Sequence, residues 1–124
     1  MHRGWKPSIG EPDFQRLALR SVREKVKAGK VPPAQEAYLG DRIAMYEGRP
    51  QRYGTQSLPC PDGQYRRWET ENPEHLNERR AAIGLPPVEE DPPETEPTAQ
   101  ALTEYGEWLR GYENWLRRAG WREG

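Results

Sequence analysis

The sequence predicts a small, mainly α-helical domain with one short β-hairpin and a C-terminal amphipathic helix. Apolar residues recur at helical spacing in several segments, and a Pro-Asp-Gly turn separates two short runs of strand-forming residues. A length of 124 residues leaves room for a single core. We predict four parts: a helical domain over residues 1–85, a hairpin within it at about 53–68, an acidic Pro-rich linker over 86–97 and a Trp-rich helix over 98–122.

The first helix is predicted to begin at Pro12 and to end at Gly29. Proline suits the first turn of a helix, and glycine is common just beyond the last turn. The apolar positions that mark its inward face are Phe14, Leu17, Ala18, Val22 and Val26.

A second helix should begin at Pro32 or Pro33 and run to Tyr46, before Gly48 and Pro50. Leu39, Ile43 and Tyr46 lie on one side of it, with Tyr38 and Met45 beside them. The two helices are therefore expected to pair as a helical hairpin.

The turn at residues 61–63 predicts the β-hairpin, which is too small to be stable alone in water. We expect Tyr65 or Trp68 to pack it on the helices. Asn72 and Pro73 are typical of a helix start, and they predict a third helix that runs to Ile83.

The linker over 86–97 contains prolines, acids and no basic residue, so we expect it to be extended and solvated. The last helix has an apolar stripe with two tryptophans at its edge. The stripe could dock on the protein's own core, drive self-association, or bind a foreign partner or an apolar ligand. Its candidate partner-binding residues are Leu102, Tyr105, Trp108, Leu109, Tyr112 and Trp115.

A polar cluster follows the second helix and contains Asp41, Arg42, Glu47, Arg49, Gln51, Tyr53 and Gln56. In a structural interpretation, Arg42 or Arg49 holds the hairpin through backbone carbonyls, and the two acids are the partners of these arginines. In a functional interpretation, the cluster forms a pocket in which the arginines bind an anion and the glutamines recognise an amide. Tyr53 and Glu47 are then the candidates for proton transfer.

Composition argues against several other classes of function. The formal net charge is -1, with no basic block of the kind that binds nucleic acid. No long apolar run or signal-peptide pattern is present, so we expect a cytoplasmic protein that does not bind membranes. Neither His2 nor His75 has a recognised ligand spacing, and Cys60 has no neighbouring histidine. We therefore predict no metal and no cofactor.

The stretch YLGDRIAMYEGRPQRYGTQ, followed by NPEHLNERRAAIGLPP, resembles an uncharacterised bacterial family known only as a domain of unknown function. The resemblance runs from about Pro12 to Pro87 and implies no established activity. Family members have a further N-terminal helix and carry a histidine and an aspartate where this chain reads PSIGEPDFQ. The resemblance therefore implies that this helix is absent here. We hypothesise that the C-terminal helix takes its place against the core.

We therefore expect a protein that recognises a small polar or anionic molecule near Arg49, Gln51, Tyr53 and Gln56. The alternative is an interaction or self-association module. In that case the C-terminal aromatic helix binds a partner or a second copy, and the polar cluster only supports the scaffold.

Overall fold

A computed structural model describes residues 10–123; His2 and the stretch in which family members have their N-terminal helix lie outside this range. The fold is mainly α-helical, with one two-stranded antiparallel hairpin and a C-terminal helix, as predicted. None of the helices in the described range is long and apolar enough to cross a membrane. The elements are α1 (Pro12–Lys27), α2 (Pro33–Glu47), β1 (Ser57–Pro59), β2 (Tyr65–Arg67), a 3₁₀ turn (Pro73–His75), α3 (Leu76–Ala82) and α4 (Ala99–Ala119).

Helices α1 and α2 pack on each other as the predicted helical hairpin. Each begins with a proline in its first turn, where no intrahelical N–H bond is lost. Gly48 ends α2 in the left-handed conformation, with φ of 78°, which lets its N–H and that of Arg49 bond back to the last turn. The chain leaves α2 toward the hairpin from this fixed point.

The buried face of α1 agrees with the predicted one only in part: Ala18, Val22 and Val26 are half-buried, but the other two predicted positions are exposed. Phe14 is 37% exposed and Leu17 is 61% exposed, whereas Gln15 and Leu19 are buried. Because the buried row of α1 includes the polar Gln15, this row does not appear in the sequence as an unbroken series of apolar residues. Leu17 consequently lies on the outer surface of α1.

The hairpin pairs Ser57 with Arg67 and Pro59 with Tyr65. Tyr65 is 64% exposed, so Trp68 is the residue that attaches the hairpin to the rest of the fold. The Trp68 indole Nε1 donates a 2.8 Å hydrogen bond to the Arg49 carbonyl. This bond ties the end of the hairpin to the chain just after α2.

The third helix begins differently from the prediction. Asn72 makes no side-chain cap and has a φ of 36°, and a 3₁₀ turn precedes α3. Buried Leu76 anchors the helix. Arg79 and Arg80 donate to backbone carbonyls of the loop after α2, including Arg52 at 2.8 Å and Tyr53 at 2.7 Å.

Residues 86–97, which we call the acidic strap, form no helix or strand, and they are tied to the hairpin. Arg66 donates to the carbonyls of Pro92 at 2.9 Å and Pro93 at 2.7 Å. The Asp62 carboxylate pairs with Arg66 and accepts from the N–H and hydroxyl of Thr95, both at 3.1 Å. Hydrogen bonds from Arg66 and then Thr95 hold the pKa of Asp62 well below its usual range. These bonds fix the position of the strap, which connects α3 to α4, against the hairpin.

The C-terminal part of α4 docks on the protein's own core. The core cluster consists of Leu19, Ile43, Leu116 and Trp121, so α1, α2 and the end of α4 all contribute to it. Trp121 also donates from Nε1 to the Gly10 carbonyl at 2.7 Å. This packing supports the first of the three interpretations of the apolar stripe, for this part of the helix.

Tyr112 predicts an alkaline loss of stability. Burial, and next the neighbouring Tyr46, raise the pKa of Tyr112 to about 12, and its hydroxyl is buried without a hydrogen-bond partner in the described structure. Because the folded pKa exceeds the unfolded value of about 10, the stabilisation is complete below pH 10 and is lost as the pH rises toward 12.

Urea unfolding of wild type and Tyr112→Phe between pH 9 and pH 12 measures this effect. We expect the wild type to lose stability relative to Tyr112→Phe over that interval. Exposed Tyr65 supplies the control, since Tyr65→Phe should follow the wild type throughout. Parallel pH profiles for wild type and Tyr112→Phe would contradict the assignment.

Candidate functional site

Asp41 holds the loop after α2 and has no oxygen left for a ligand. Its side chain is only 2% exposed. It accepts hydrogen bonds from Arg52 N at 2.9 Å, Tyr53 N at 3.1 Å, Thr55 N at 3.1 Å and Thr55 Oγ1 at 2.8 Å. These donors replace the water that burial removes from the carboxylate, whose burial would otherwise be costly. Asp41 therefore fixes the loop conformation.

Gln51 has a similar internal role, although we predicted that it binds ligand. It is fully buried, and its Nε2 donates to the carbonyls of Gln56 at 2.9 Å and Trp68 at 2.8 Å. Its Oε1 accepts from the Gln56 N–H at 2.9 Å. The Gln56 side chain itself donates to Thr55 Oγ1 at 3.1 Å. Both glutamines thus stabilise the loop that Asp41 holds.

Glu47 joins two arginines at the end of α2. Arg16 donates to it at 2.7 Å, and Arg49 binds it through two guanidinium nitrogens. Burial raises the pKa of Glu47, but the hydrogen bonds from Arg49 and Arg16 outweigh this effect and leave the pKa below its ordinary value. A carboxylate held in this way is a weak proton acceptor at neutral pH. Its geometry suits the positioning of Arg49.

Arg42 does not pair with Asp41, because its side chain is exposed on the outer side of α2 while Asp41 faces the loop amides. Backbone carbonyls are bound instead by Arg79 and Arg80 of α3 and by Arg122 beyond α4. The anchoring that we considered for Arg42 or Arg49 is therefore performed by other arginines.

A cleft opens between α1, α2 and the loop after α2, with a volume of about 340 Å³. This volume suits a small molecule. Of the predicted site residues, the cleft brings together Asp41, Arg49 and Tyr53. The whole lining consists of Leu19, Arg23, Glu36, Ala37, Gly40, Asp41, Ile43, Ala44, Arg49, Pro50, Arg52, Tyr53 and Glu71. Glu47, Gln51, Gln56 and Arg42 are not part of it.

Two arginines in this lining, Arg23 and Arg52, are only loosely paired. Arg23 Nε lies 3.4 Å from Glu36, and Arg52 Nη1 lies 3.4 Å from Glu71. All four side chains are more than one-third exposed. Exposed pairs of this kind contribute about 0–1 kcal/mol, so an anionic ligand can replace the carboxylate at little cost.

Arg52 also lies over the Tyr53 ring, with its guanidinium carbon 5.7 Å from the ring centre. The interaction with Tyr53, followed by that with Glu71, raises the pKa of Arg52 above its ordinary value. The ring limits the directions in which the guanidinium can point. Arg52 is therefore positioned at the cleft beside the Tyr53 side chain.

Sequence reasoning missed Arg23 and Arg52. Arg23 follows Leu19 by four positions on α1 and so lies above the same part of the cleft. Arg52 directly precedes Tyr53 in the loop after α2. The hydrogen bonds of this loop to Asp41 set its conformation and so place the Arg52 side chain at the cleft, which the sequence does not show. The i, i+4 relation to a core leucine was the one available signal.

The predicted partner-binding residues of α4 divide into two groups. Tyr112 and Trp115 pack against the core beside Tyr46, and the Tyr46 and Trp115 ring centres are 4.9 Å apart. Leu102 is 51% exposed. Tyr105, Trp108 and Leu109 are partly buried but are not among the residues packed against the core cluster in the described part of the chain. The first half of α4 is therefore less embedded than the second.

No three His, Cys, Asp or Glu side chains within residues 10–123 come together as ligands for a metal ion. The chain matches no protein-family model, and neither curated proteins nor solved structures include a significant match to it. The resemblance to a bacterial domain family therefore stays a prediction.

Proposed function

We propose that this protein binds a small organic anion in the cleft between α1, α2 and the loop after α2. The observation that carries the proposal is the pair of loosely bound guanidinium groups, Arg23 and Arg52, above a buried apolar floor. Guanidinium groups bind carboxylates and phosphates through two parallel hydrogen bonds. Within the described structure, the only acceptor of Arg23 is Glu36, so most of its N–H groups are available.

Available guanidinium groups in the cleft favour an anion, although the formal charges of the lining balance. The lining carries Arg23, Arg49 and Arg52 against Glu36, Asp41 and Glu71. The Asp41 oxygens accept from donors of the loop and are not open to a ligand. A ligand carboxylate or phosphate monoester can therefore bind Arg23 and Arg52 by taking the place of Glu36 and Glu71, which are held only at 3.4 Å.

The floor of the cleft favours a ligand with an apolar body. Leu19, Ala37, Ile43 and Ala44 form this floor, and each is buried. A short aliphatic or aromatic group on these side chains would be removed from water, which contributes about 25 cal/mol per Å². The proposed ligand is thus an anionic head group at Arg23 and Arg52 with a small apolar tail. Its proposed site of action is the cytoplasm.

Binding, and not a reaction, is the function that we propose. Tyr53 lines the cleft and can donate its hydroxyl proton to a ligand oxygen, as expected of a hydrogen-bonding residue. Glu47 is engaged by two arginines and does not line the cleft. The catalytic roles that we predicted for Tyr53 and Glu47 stay predictions.

Isothermal titration calorimetry with a panel of monocarboxylates, dicarboxylates and phosphate monoesters tests this function. We expect at least one class to bind, and Arg52→Gln to weaken that binding by about 10- to 100-fold, because a hydrogen bond to a charged group contributes about 1.5–3 kcal/mol. Comparison of the three classes of compound shows which anionic head group the cleft prefers.

Arg42→Gln is the matched control, because Arg42 is an exposed arginine of α2 outside the cleft. It should bind like the wild type. Equal losses in Arg42→Gln and Arg52→Gln would indicate a general charge effect and would contradict a site in the cleft.

A further inference from the structure

An anion alone would leave unpaired carboxylates at the cleft. When a ligand anion takes the place of Glu36 at Arg23, the Glu36 carboxylate loses its partner, because no other donor within residues 10–123 bonds to it. The same holds for Glu71 when an anion displaces it from Arg52. The formal charges of the lining balance, so a ligand with a net negative charge also makes the whole cleft negative.

The charged pair of Arg23 and Glu36 lies directly beside an apolar pair. Arg23 of α1 lies 3.4 Å from Glu36 of α2. One helical turn away on each helix, Leu19 of α1 faces Gly40 of α2. A step of four positions back along α1 thus matches a step of four positions forward along α2, as expected for antiparallel helices in contact. All four residues line the cleft.

Gly40 leaves room beside the charged pair. It lies inside α2, where glycine is less favourable than alanine. A Cβ atom at this position would make one ordinary contact, with Leu19 Cδ1 at 4.0 Å, so packing inside the protein does not require glycine there. Any larger residue at position 40 would occupy part of the cleft. The missing side chain therefore leaves space in which a short apolar group of a ligand can lie against Leu19.

We propose that the ligand is an apolar α-amino acid whose charged groups bind at Arg23 and Glu36, an inference that rests on the anion site proposed above. An α-amino acid carries its carboxylate and its ammonium group on the same carbon atom. It can therefore enter between a guanidinium and a carboxylate that already lie side by side. The ligand carboxylate binds Arg23, and the ligand ammonium binds Glu36. Glu36 changes its partner and stays paired.

The neighbouring residues of the cleft fit the rest of the amino acid. From Arg23 and Glu36, the next turn of each helix presents Leu19 and Gly40 to the cleft, above the buried apolar floor. A short or branched aliphatic side chain covers this surface and is removed from water. Arg52 of the loop after α2 donates to the same carboxylate. An apolar amino acid has no net charge, which matches the balanced charges of the lining.

Calorimetric titration of the full chain with three matched pairs of compounds tests the proposal. Each pair consists of an amino acid and the acid that lacks its amino group: leucine with 4-methylpentanoate, valine with 3-methylbutanoate, and alanine with propanoate. We expect at least one amino acid to bind at least about tenfold more tightly than its matched acid, because only the amino acid has an ammonium group that can bond to Glu36.

The results separate this inference from the anion site itself. Suppose that the matched acids, or other carboxylates and phosphates, bind and that no amino acid binds more tightly than its matched acid. The amino-acid inference is then overturned, and the anion site stands. If no compound of any class binds, both proposals fail.

Glu36→Gln locates the ammonium group. This variant should weaken the binding of the amino acid by about tenfold and should leave the binding of its matched acid unchanged or stronger, because the competing carboxylate is gone. Opposite effects on two such similar compounds cannot come from loss of folding. Glu24→Gln is the matched control, since Glu24 lies beside Arg23 on α1, is exposed and does not line the cleft. A preference for the amino acid that survives Glu36→Gln, or that falls equally in Glu24→Gln, overturns the assignment to Glu36.

Gly40→Ala locates the side chain of the ligand. It should raise the melting temperature through helix propensity, and it should weaken the binding of leucine and valine by about tenfold, because the added methyl group fills the space beside Leu19. Free alanine, with its shorter side chain, should lose less affinity. A Gly40→Ala protein that is stabilised and binds leucine and valine like the wild type contradicts this placement.

Discussion

Replacement of Asp41 by asparagine is expected to lower the free energy of unfolding by about 3 kcal/mol. The carboxylate is 2% exposed and accepts hydrogen bonds from four donors of the loop at residues 52–55. An asparagine at this position points an N–H₂ group at N–H donors that it cannot satisfy. Urea unfolding gives the change, provided that the slope with urea is preserved.

Glu36→Gln is the matched control for Asp41→Asn. Glu36 is a partly exposed carboxylate of the same helix and has one long ion pair, so its replacement should change stability by less than about 0.5 kcal/mol. If Asp41→Asn is as stable as Glu36→Gln, Asp41 does not hold the loop. The positions of Arg52 and Tyr53 at the cleft would then lack their support.

Leu116→Ala is expected to destabilise the fold by about 2–5 kcal/mol, the range for a buried leucine whose removal leaves a cavity. Leu116 is 1% exposed and is one of four residues in the core cluster. Thermal or urea unfolding measures the effect. The result would show that α4 belongs to the core of its own chain.

Leu102→Ala provides the comparison on the same helix, since Leu102 is 51% exposed. We expect a change of less than about 0.5 kcal/mol for Leu102→Ala. Removal of residues 98–124 deletes both Leu116 and Trp121 and should abolish cooperative unfolding. A truncated chain that melts like the full one would contradict the docking of α4 within the chain.

Local chemistry made much of the architecture predictable. Proline in the first turns of α1 and α2 and Gly48 beyond α2 are signals that act within one or two helical turns. The structure adds a cap that we did not predict, since Thr98 Oγ1 accepts from Ala101 N at 3.0 Å at the start of α4. The buried face of α1 was not predictable in this way, because the packing of Leu19 against α2 and α4 decided it, and Gln15 interrupted the apolar row.

The candidate site was predictable only as a region. The sequence marks a polar cluster after α2, but it does not show that Asp41 and Gln51 use their polar atoms internally. Which polar side chains bond internally and which face the cleft depends on how the loop after α2 folds back toward β2. Arg23 reaches the cleft from α1, about thirty positions before Arg52, so only the packing of α1 on α2 brings the two arginines to one opening.

The central claim is that the cleft between α1 and α2 binds a small organic anion through Arg23 and Arg52. The most direct test is a titration of isotope-labelled protein with the anion panel, followed by nuclear magnetic resonance of backbone amide and arginine Nε–H signals. We predict that a binding anion shifts the Nε–H signals of Arg23 and Arg52 and the amide of Tyr53, with little change at Arg42. No shift with any anion at millimolar concentrations, or shifts confined to the hairpin and α4, would contradict the claim.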